Sequence, residues 1–469
     1  MSVEAIFFSS DPSLNQYFQT LLTLNDTQTV AYDSKGKKFK PCKKVQNEQI
    51  VKTYTKSLLK NLNKEFLEKC DSLTILKLKQ ALSKLPKNIF DRSLISEEIE
   101  DVFSPDLKLK KQTFANAKFL NLNTIEGRRA FKEAEIALRI EEVRLAQSLG
   151  IEFEAISEGA NGSYFGFNKF GKKIIVYKPA SEEEGNCTPK LSSKFKAFLK
   201  KILFFFFSRL KPRFSLSNGS NYKREILASE FATVLDLPIV PNTSEARFAS
   251  KKFYNQGTQV GSCQLFMPNS DSGEGVYKLP TFLPLPMQLF IRKLNKSKNP
   301  ILPPQYLQML VFLDYLIGNI DRHFGNFLAE VKNDVIKKLH AIDNSNSMLP
   351  IHVEGYVETK HFSPIVKLDE AKEFFLPEIL DRFEKVKENF VILDQIAQKI
   401  LGSEYTHKQK NGESCRDCFK QRCMIIANKI DHMGKPIKTP IDLVNCFKRS
   451  QIHKTITKIS KLTNPIMFA

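Results

Sequence analysis

Cysteine is scarce in this chain and scattered where it occurs, with eight residues in 469. Such usage excludes a fold stapled by a secreted disulfide framework, and a reducing cytoplasmic compartment is expected. No apolar run approaches the ~20 residues that cross a bilayer, so a spanning protein is not expected, although one that lies on a membrane is compatible. The opening residues, Met1 to Asp11, lack the basic region and the long apolar region of a secretory signal. Acidic residues are outnumbered, 51 against 71 Lys and Arg, for a formal charge of +20. That excess favours acidic partners such as an anionic membrane, a nucleotide or a nucleic acid. Basic and aromatic residues do not interleave on one sheet or helix, so nucleic acid is not the expected partner. Repeats and low-complexity tracts are missing too, and the length suggests roughly three domains.

What is present centres on Asp314 to Asn326, D-Y-L-I-G-N-I-D-R-H-F-G-N, followed by A-I-D-N at Ala341 to Asn344. An Asp, a nearby Asn and a second Asp downstream are what a magnesium-dependent phosphoryl-transfer site needs to hold metal and position an acceptor hydroxyl. The apolar stretch Tyr306 to Ile317 predicts a helix running into a short loop, where Asp321 faces the acceptor and Asn326 offers an oxygen to a metal. Lys332, Asn333 and Asp334 predict a turn and Val335 to Ile342 a returning strand, which would bring Asp343 beside Asn326. Two oxygen ligands from adjacent segments suit magnesium, which takes the rest of its shell from water and phosphate.

Upstream, Gly159 to Phe165, G-A-N-G-S-Y-F, precedes a turn at Asn168 to Gly171 and an apolar strand, Ile174 to Tyr177, ending on Lys178. A glycine turn lets backbone N–H groups approach phosphates, and a lysine leaving the strand can neutralise them.

In this order the motifs resemble type II phosphatidylinositol 4-kinases, members of the phosphatidylinositol 3-/4-kinase family. Y-K-P-A-S-E-E-E at Tyr177 to Glu184 is similar to the family's K-P-x-x-E-E segment, and V-G-S-C-Q-L-F-M at Val260 to Met267 to its hinge. V-F-L-D-Y-L-I-G-N-I-D-R resembles its catalytic loop and A-I-D-N its metal-binding aspartate. Around His323 the loop is nearer the N-x-D-R-H-x-G-N form of plant relatives. The resemblance covers roughly Ile151 to Pro350.

It implies ATP and Mg2+ (or Mn2+) as cofactors. Gly162, Ser163 and Lys178 would lie at the ATP phosphates, and the backbone of Gln264, Leu265, Phe266 and Met267 would meet adenine. Asp321 would orient the acceptor, His323 would stabilise or shuttle charge, and Asn326 and Asp343 would hold metal. Asp314 would brace the catalytic loop. The helix expected over Tyr222 to Leu235 carries Glu225 and Glu230; either can pair with Lys178, and Glu225 is favoured. The chain departs from the family in having R-H-F-G-N for R-G-N-D-N and Asn344-Ser345 for Asn-Gly. After Asp343, Asn344 to Phe362 offers few cations for a lipid headgroup, chiefly Lys360 with His352 and His361.

Between Lys190 and Phe214 a short apolar centre is flanked by cations. Lys200, Lys201, Phe204, Phe205, Phe206, Phe207 and Arg209 are the expected membrane contacts, each basic residue contributing ~1 kcal/mol near an anionic leaflet. An insertion packed on the kinase lobes is the alternative. Phenylalanine replaces the lipidated cysteines that the family carries there, so lipidation is not implied.

Residues 1–150 are expected to form a helical N-terminal domain, with helices at Lys56 to Cys70, Leu73 to Leu85 and Ile125 to Leu149, the last capped by Asn123 or Thr124. Beyond Pro350, Leu368 to Lys387, broken or restarted at Pro377, and Phe390 to Leu401 are the helical candidates. Cys415, Cys418 and Cys423, with His407, invite a zinc reading, against which stand the helical pattern and the missing second pair. The tail, Lys448 to Lys461, is basic.

The expected architecture is therefore α+β: a bilobal protein-kinase-like core at 151–401 (N-lobe 151–267, C-lobe 268–401), the helical domain before it, and a basic helical extension at 402–469. The expected activity is ATP-dependent phosphorylation of phosphatidylinositol at an anionic membrane surface, on a cytoplasmic, peripherally associated protein. A protein Ser/Thr kinase acting on a protein substrate, and a non-catalytic membrane-binding scaffold, stay open as alternatives. A bacterial effector acting in a host cytoplasm is a further location that such a chain admits.

Overall fold

The computed structural model describes residues 11–24, 28–62, 66–67, 70–86, 88–156, 162–183, 219–279, 285–295, 299–348, 368–408, 414–431 and 434–446. The expected membrane segment Lys190 to Phe214, the cations His352, Lys360 and His361, and the tail Lys448 to Lys461 lie outside these residues. Among them no helix is long and apolar enough to cross a membrane.

The N-terminal part builds its own core. Helix α1 (Pro12–Leu22) starts where Asp11 accepts the Ser13 and Leu14 N–H groups and proline occupies the first turn. It packs with a hairpin of β1 (Thr29–Asp33) and β2 (Lys38–Cys42), and with α2 (Glu48–Asn61) and α3 (Ser72–Ser83). The hairpin was not foreseen in a region read as helical. The helix expected at Lys56 to Cys70 lies earlier in the chain: its buried stripe is Val51, Thr55, Leu58 and Leu59, and Leu62 is already extended. Helices α4 (Glu97–Phe103) and α5 (Pro105–Ala117) then lead into α6 (Ile125–Ser148), capped by Thr124, which accepts the Gly127 N–H at 3.0 Å.

Helix α6 belongs to two cores at once. Leu138 and Leu145 pack with the N-terminal helices, while Ile136 and Val143 pack under a sheet with Phe153, Ile175, Tyr177 and Cys263. The boundary expected at residue 150 falls just after this shared helix. The sheet is antiparallel and five-stranded: β3 (Glu154–Ala155), β4 (Tyr164–Phe167), β5 (Lys173–Pro179), β6 (Thr243–Ala249) and β7 (Thr258–Leu265), in the order β3-β4-β5-β7-β6. Strand alternation sends Ile175 and Tyr177 to the α6 side and Lys178 to the other, where α7 (Asn221–Leu235) lies.

The largest core surrounds one helix. A short strand β8 (Asp271–Ser272), then α8 (Leu285–Leu294), precede α9 (Pro304–Ile317), whose residues from Leu307 to Ile317 are all buried, as expected of a helix apolar on every side. Strands β9 (Phe327–Lys332) and β10 (Val335–Ala341) form the expected hairpin, and Asn333 and Asp334 both take positive φ, 53° and 56°, in its turn. A restart at Pro377 is borne out by α10 (Pro377–Glu388), and α11 spans Phe390–Leu401 as expected.

Packing continues across the expected boundary at residue 401. Cys415, Phe419, Cys423 and Ile426 of α12 (Cys415–Asn428), and Leu443 and Val444 of α13 (Pro440–Asn445), enter the same core as α9. The α12 thiols are buried, and burial raises Cys415 and Cys423 above the usual thiol range. Among the described residues no group of three or more His, Cys, Asp or Glu is placed to hold a metal, so the zinc reading finds no support there.

Candidate active site

Four segments converge where the sheet meets the α9 core: the end of β5, helix α7, the loop from Asn319 to Asn326, and the turn after β10. Lys178 Nζ lies 2.7 Å from Glu225 Oε1 and 3.2 Å from Asp343 Oδ1. This settles the choice of partner. Glu230 faces elsewhere, pairing with Lys132 at 2.8 Å. Burial works against the Lys178 charge, but Asp343 and Glu225 together raise its pKa above the usual lysine value. Lys178 in turn holds the Asp343 carboxyl below its usual range, although that side chain is 41 % exposed.

Glu225 does more than pair with the lysine. Its second oxygen accepts the Asn344 N–H at 3.0 Å, so one carboxylate, 1 % exposed, ties β5 to the turn that carries Asp343. Asp343 itself sits at φ 55°, an uncommon backbone state for a residue with a side chain. Ser345 donates to its Oδ1 at 3.3 Å. The departure from Asn-Gly therefore adds a hydroxyl that supports the aspartate.

The catalytic-loop segment is organised by Arg322, a residue the sequence reading did not single out. Its guanidinium is fully buried, bonds both oxygens of the buried Asp314 at 3.1 Å, and also reaches the Ile342 carbonyl at 2.6 Å and Asn344 Oδ1 at 2.5 Å. A further N–H donates to the Asn326 carbonyl. Burial raises the Asp314 carboxyl, with Arg322 opposing. Asp314 thus braces the loop, as expected, through this arginine. The Ile342 N–H also donates to the Asn326 carbonyl at 3.2 Å, so the hairpin brings the Asp343 turn next to Asn326.

Asp321 is exposed near the start of the loop, its Oδ2 accepting from Asn346 at 3.0 Å and its N–H donating to Asn319 Oδ1. Water reaches the carboxylate, yet the surrounding walls crowd it. This desolvation raises its pKa, with His323 and Asn346 opposing. His323 Nδ1 accepts the Gly325 N–H at 3.1 Å, a bond that fixes the orientation of the ring. A Cβ on Gly325 would lie 2.9 Å from the imidazole, so the glycine makes room for that ring.

Asn326 donates its Nδ2 to the Asp321 carbonyl at 2.7 Å, which directs its Oδ1 away from that bond. An amide oxygen and a carboxylate are hard donors that suit Mg2+ or Mn2+, so Asn326 and Asp343 fit the metal role expected of them.

At two of the expected ATP contacts, backbone groups already have partners. Gly162 does not offer a free N–H to phosphate, because it donates to the Glu182 carbonyl at 3.2 Å. Its glycine is needed because a Cβ would come within 2.1 Å of Glu182 Oε2. Ser163 lies next to it in the strand connection, its carbonyl accepting from Ile156. At the hinge, the sheet already uses the N–H groups of Leu265, bonded to Asn242, and Phe266, bonded to Ile174. Gln264 is buried within β7, its side chain on Thr243. Met267 N–H, the last of the four, has no hydrogen-bond partner among the described residues.

The paired glutamates after Lys178 were missed as working residues. Glu182 accepts from the Tyr164 hydroxyl at 2.5 Å and the Asn255 N–H at 3.1 Å. Glu183 accepts the Asn221 and Tyr222 N–H groups, at 3.0 and 2.6 Å, at the N-terminus of the helix that carries Glu225. A carboxylate there satisfies orphan donors and complements the helix dipole. Three acidic residues in a row after K-P were the available signal.

No family model matches the chain. Its sequence is similar to phosphatidylinositol 4-kinase type 2-beta of Rattus norvegicus, 30 % identical over 244 residues, which is 46 % of each chain. It is also similar to the type 2-alpha enzyme of Danio rerio, 25 % identical over 63 % of this chain and 72 % of the relative. The type 2-beta protein of Xenopus tropicalis is 28 % identical over 66 % of this chain and 70 % of its own. The chain spans about half the length of the first of these relatives. Beyond the short motifs, then, its curated relatives are type II phosphatidylinositol 4-kinases of both the alpha and beta forms.

Proposed function

We propose that this chain is an ATP-dependent kinase with a bilobal kinase-like core, transferring the terminal phosphoryl group of ATP to phosphatidylinositol at an anionic membrane surface. The observation that carries the reading is the joint placement of Lys178, Glu225 and Asp343 in one ionic cluster beside the Asp321 loop. Similarity to type II phosphatidylinositol 4-kinases supports the lipid as acceptor.

Little covalent work falls to the protein in such a transfer, which rests on positioning and charge neutralisation. Lys178, kept charged by two carboxylates, neutralises phosphate oxygens. Asn326 and Asp343 would hold Mg2+ or Mn2+, which when bound supplies further charge neutralisation at the phosphates. Asp321 orients the acceptor hydroxyl and takes its proton, a role suited to a raised carboxyl pKa. His323 would stabilise or shuttle charge developing on the transferred group. Met267 N–H is the hinge donor left for adenine.

A protein acceptor is the second reading, favoured by one observation: the described residues after Asp343, Asn344 to Met348, contain no cation, and Asn344, Ser347 and Met348 are buried. Purified protein with magnesium and labelled ATP, offered phosphatidylinositol liposomes and a mixed protein extract side by side, separates the two. Label in lipid supports the first reading and label only in protein the second. No label in either rejects both and returns weight to a scaffold.

Two substitutions test the roles. Glu225→Gln keeps the shape but removes one of the two carboxylate charges facing Lys178, and turnover is expected to fall by roughly ten- to a hundredfold. Ser345→Ala removes one weak hydrogen bond to Asp343, and the Mg2+ concentration for half-maximal turnover is expected to rise roughly two- to fivefold. Unchanged values in a magnesium titration of turnover would remove each residue from the site.

A further inference from the structure

Helix α7 is held from outside the cleft by a row of cations on α6. Lys132, 3 % exposed, bonds Glu230 Oε1 at 2.8 Å. Arg129 Nε approaches Glu230 Oε2 at 3.4 Å without making a hydrogen bond. Arg128 donates to the Thr233 and Val234 carbonyls at 2.8 and 3.0 Å, covering the C-terminal end of α7, and to the Leu122 and Asn123 carbonyls behind it. Glu230 stands five residues after Glu225, roughly 7 Å along the helix axis. A shift of α7 along or about its axis therefore moves Glu225 against Lys178 and Asn344.

The other face of α6 is built into the N-terminal core through Leu138 and Leu145, and Arg92 of that region bonds the Leu149 carbonyl just past its end at 2.7 Å. The N-terminal helices, α6, α7 and the Lys178 cluster are thus in mechanical series. We propose that Lys132 is a positioning residue for the phosphoryl transfer, through which the N-terminal helical region sets the register of α7 and so holds Glu225 on Lys178. This rests on the kinase reading of the cluster and adds its control from residues 11–149.

The physics favours this reading over mere support. A buried ion pair is a poor source of net stability, because desolvating both charges offsets most of their attraction, whereas its direction fixes one relative placement. An apolar pair of similar volume would hold the two helices together equally well and lose the register.

The test uses the full chain with Lys132→Met and Glu230→Met together, so that neither charge is left buried alone, and Lys132→Arg as the conservative control. The double variant is expected to melt within a few degrees of the parent. Its kcat is expected to fall about tenfold with the KM for ATP within about twofold, and Lys132→Arg should recover most of the loss. Hydrogen exchange gives a readout independent of turnover, since the Asn344 N–H is bonded to Glu225. Exchange in the peptide spanning 341–348 should rise severalfold in the double variant and not in Lys132→Arg. If the chain transfers no phosphate at all, the exchange result still decides the coupling while the kinase reading fails separately. Unchanged exchange at 341–348 in a folded double variant would overturn the proposal, as would a loss of kcat matched only by a loss of stability.

Discussion

Asp343→Ala is expected to lose phosphoryl transfer by roughly 10³-fold or more while the protein keeps its fold. The large effect follows from where the carboxylate sits: it is the group that brings negative charge to Lys178 from the β10 turn and, with Asn326, the hard-donor pair at the loop. The small structural effect follows from what remains. Lys178 keeps Glu225 at 2.7 Å, Glu225 keeps the Asn344 N–H, and the lost side chain is 41 % exposed, so no buried charge is orphaned. Turnover measured beside a thermal melt separates the two. Loss of activity together with unfolding would make Asp343 a structural residue.

Arg322→Met is expected to do the reverse, costing about 3–5 kcal/mol of stability before any effect on chemistry can be read. Its guanidinium and the Asp314 carboxylate are both fully buried, and removing one leaves the other without a countercharge in a low-dielectric interior. Adding Asp314→Leu to Arg322→Met should return only part of that loss, because the Ile342 carbonyl and Asn344 Oδ1 would still lack their donor, while the Asn326 carbonyl keeps only the Ile342 N–H. Urea unfolding of the parent, single and double variants measures both figures. A single variant within about 1 kcal/mol of the parent would show that the loop does not depend on this arginine.

Local signals in the sequence were reliable where a residue type has one dominant physical preference. Asn333 and Asp334 tolerate positive φ and marked the β9–β10 turn; Pro377 suits a first helical turn and marked the restart there; Thr124 capped α6. The approach of the Asp343 turn to Asn326 was also legible, because the hairpin returns the chain there. Glu225 was favoured over Glu230, but spacing alone could not separate them, since both stand on an expected helix whose neighbours come from remote segments. Only the position of α6 sends Glu230 to Lys132. Arg322 was passed over because an arginine in a loop is ordinarily exposed, and its burial depends on an aspartate eight residues earlier on α9. At the hinge, residue types say nothing about which backbone N–H groups the sheet has already taken.

The central claim, that the Lys178, Asn326 and Asp343 cluster is a site for a nucleotide's phosphates with metal, is tested most directly by calorimetric titration of ATP with and without Mg2+, on the parent chain and on Asp343→Ala. This needs no knowledge of the acceptor. The account expects ATP binding by the parent that weakens at least tenfold when Mg2+ is withheld, and binding by Asp343→Ala that no longer responds to Mg2+. Failure of the parent to bind ATP, or a Mg2+ response that survives in Asp343→Ala, would contradict it.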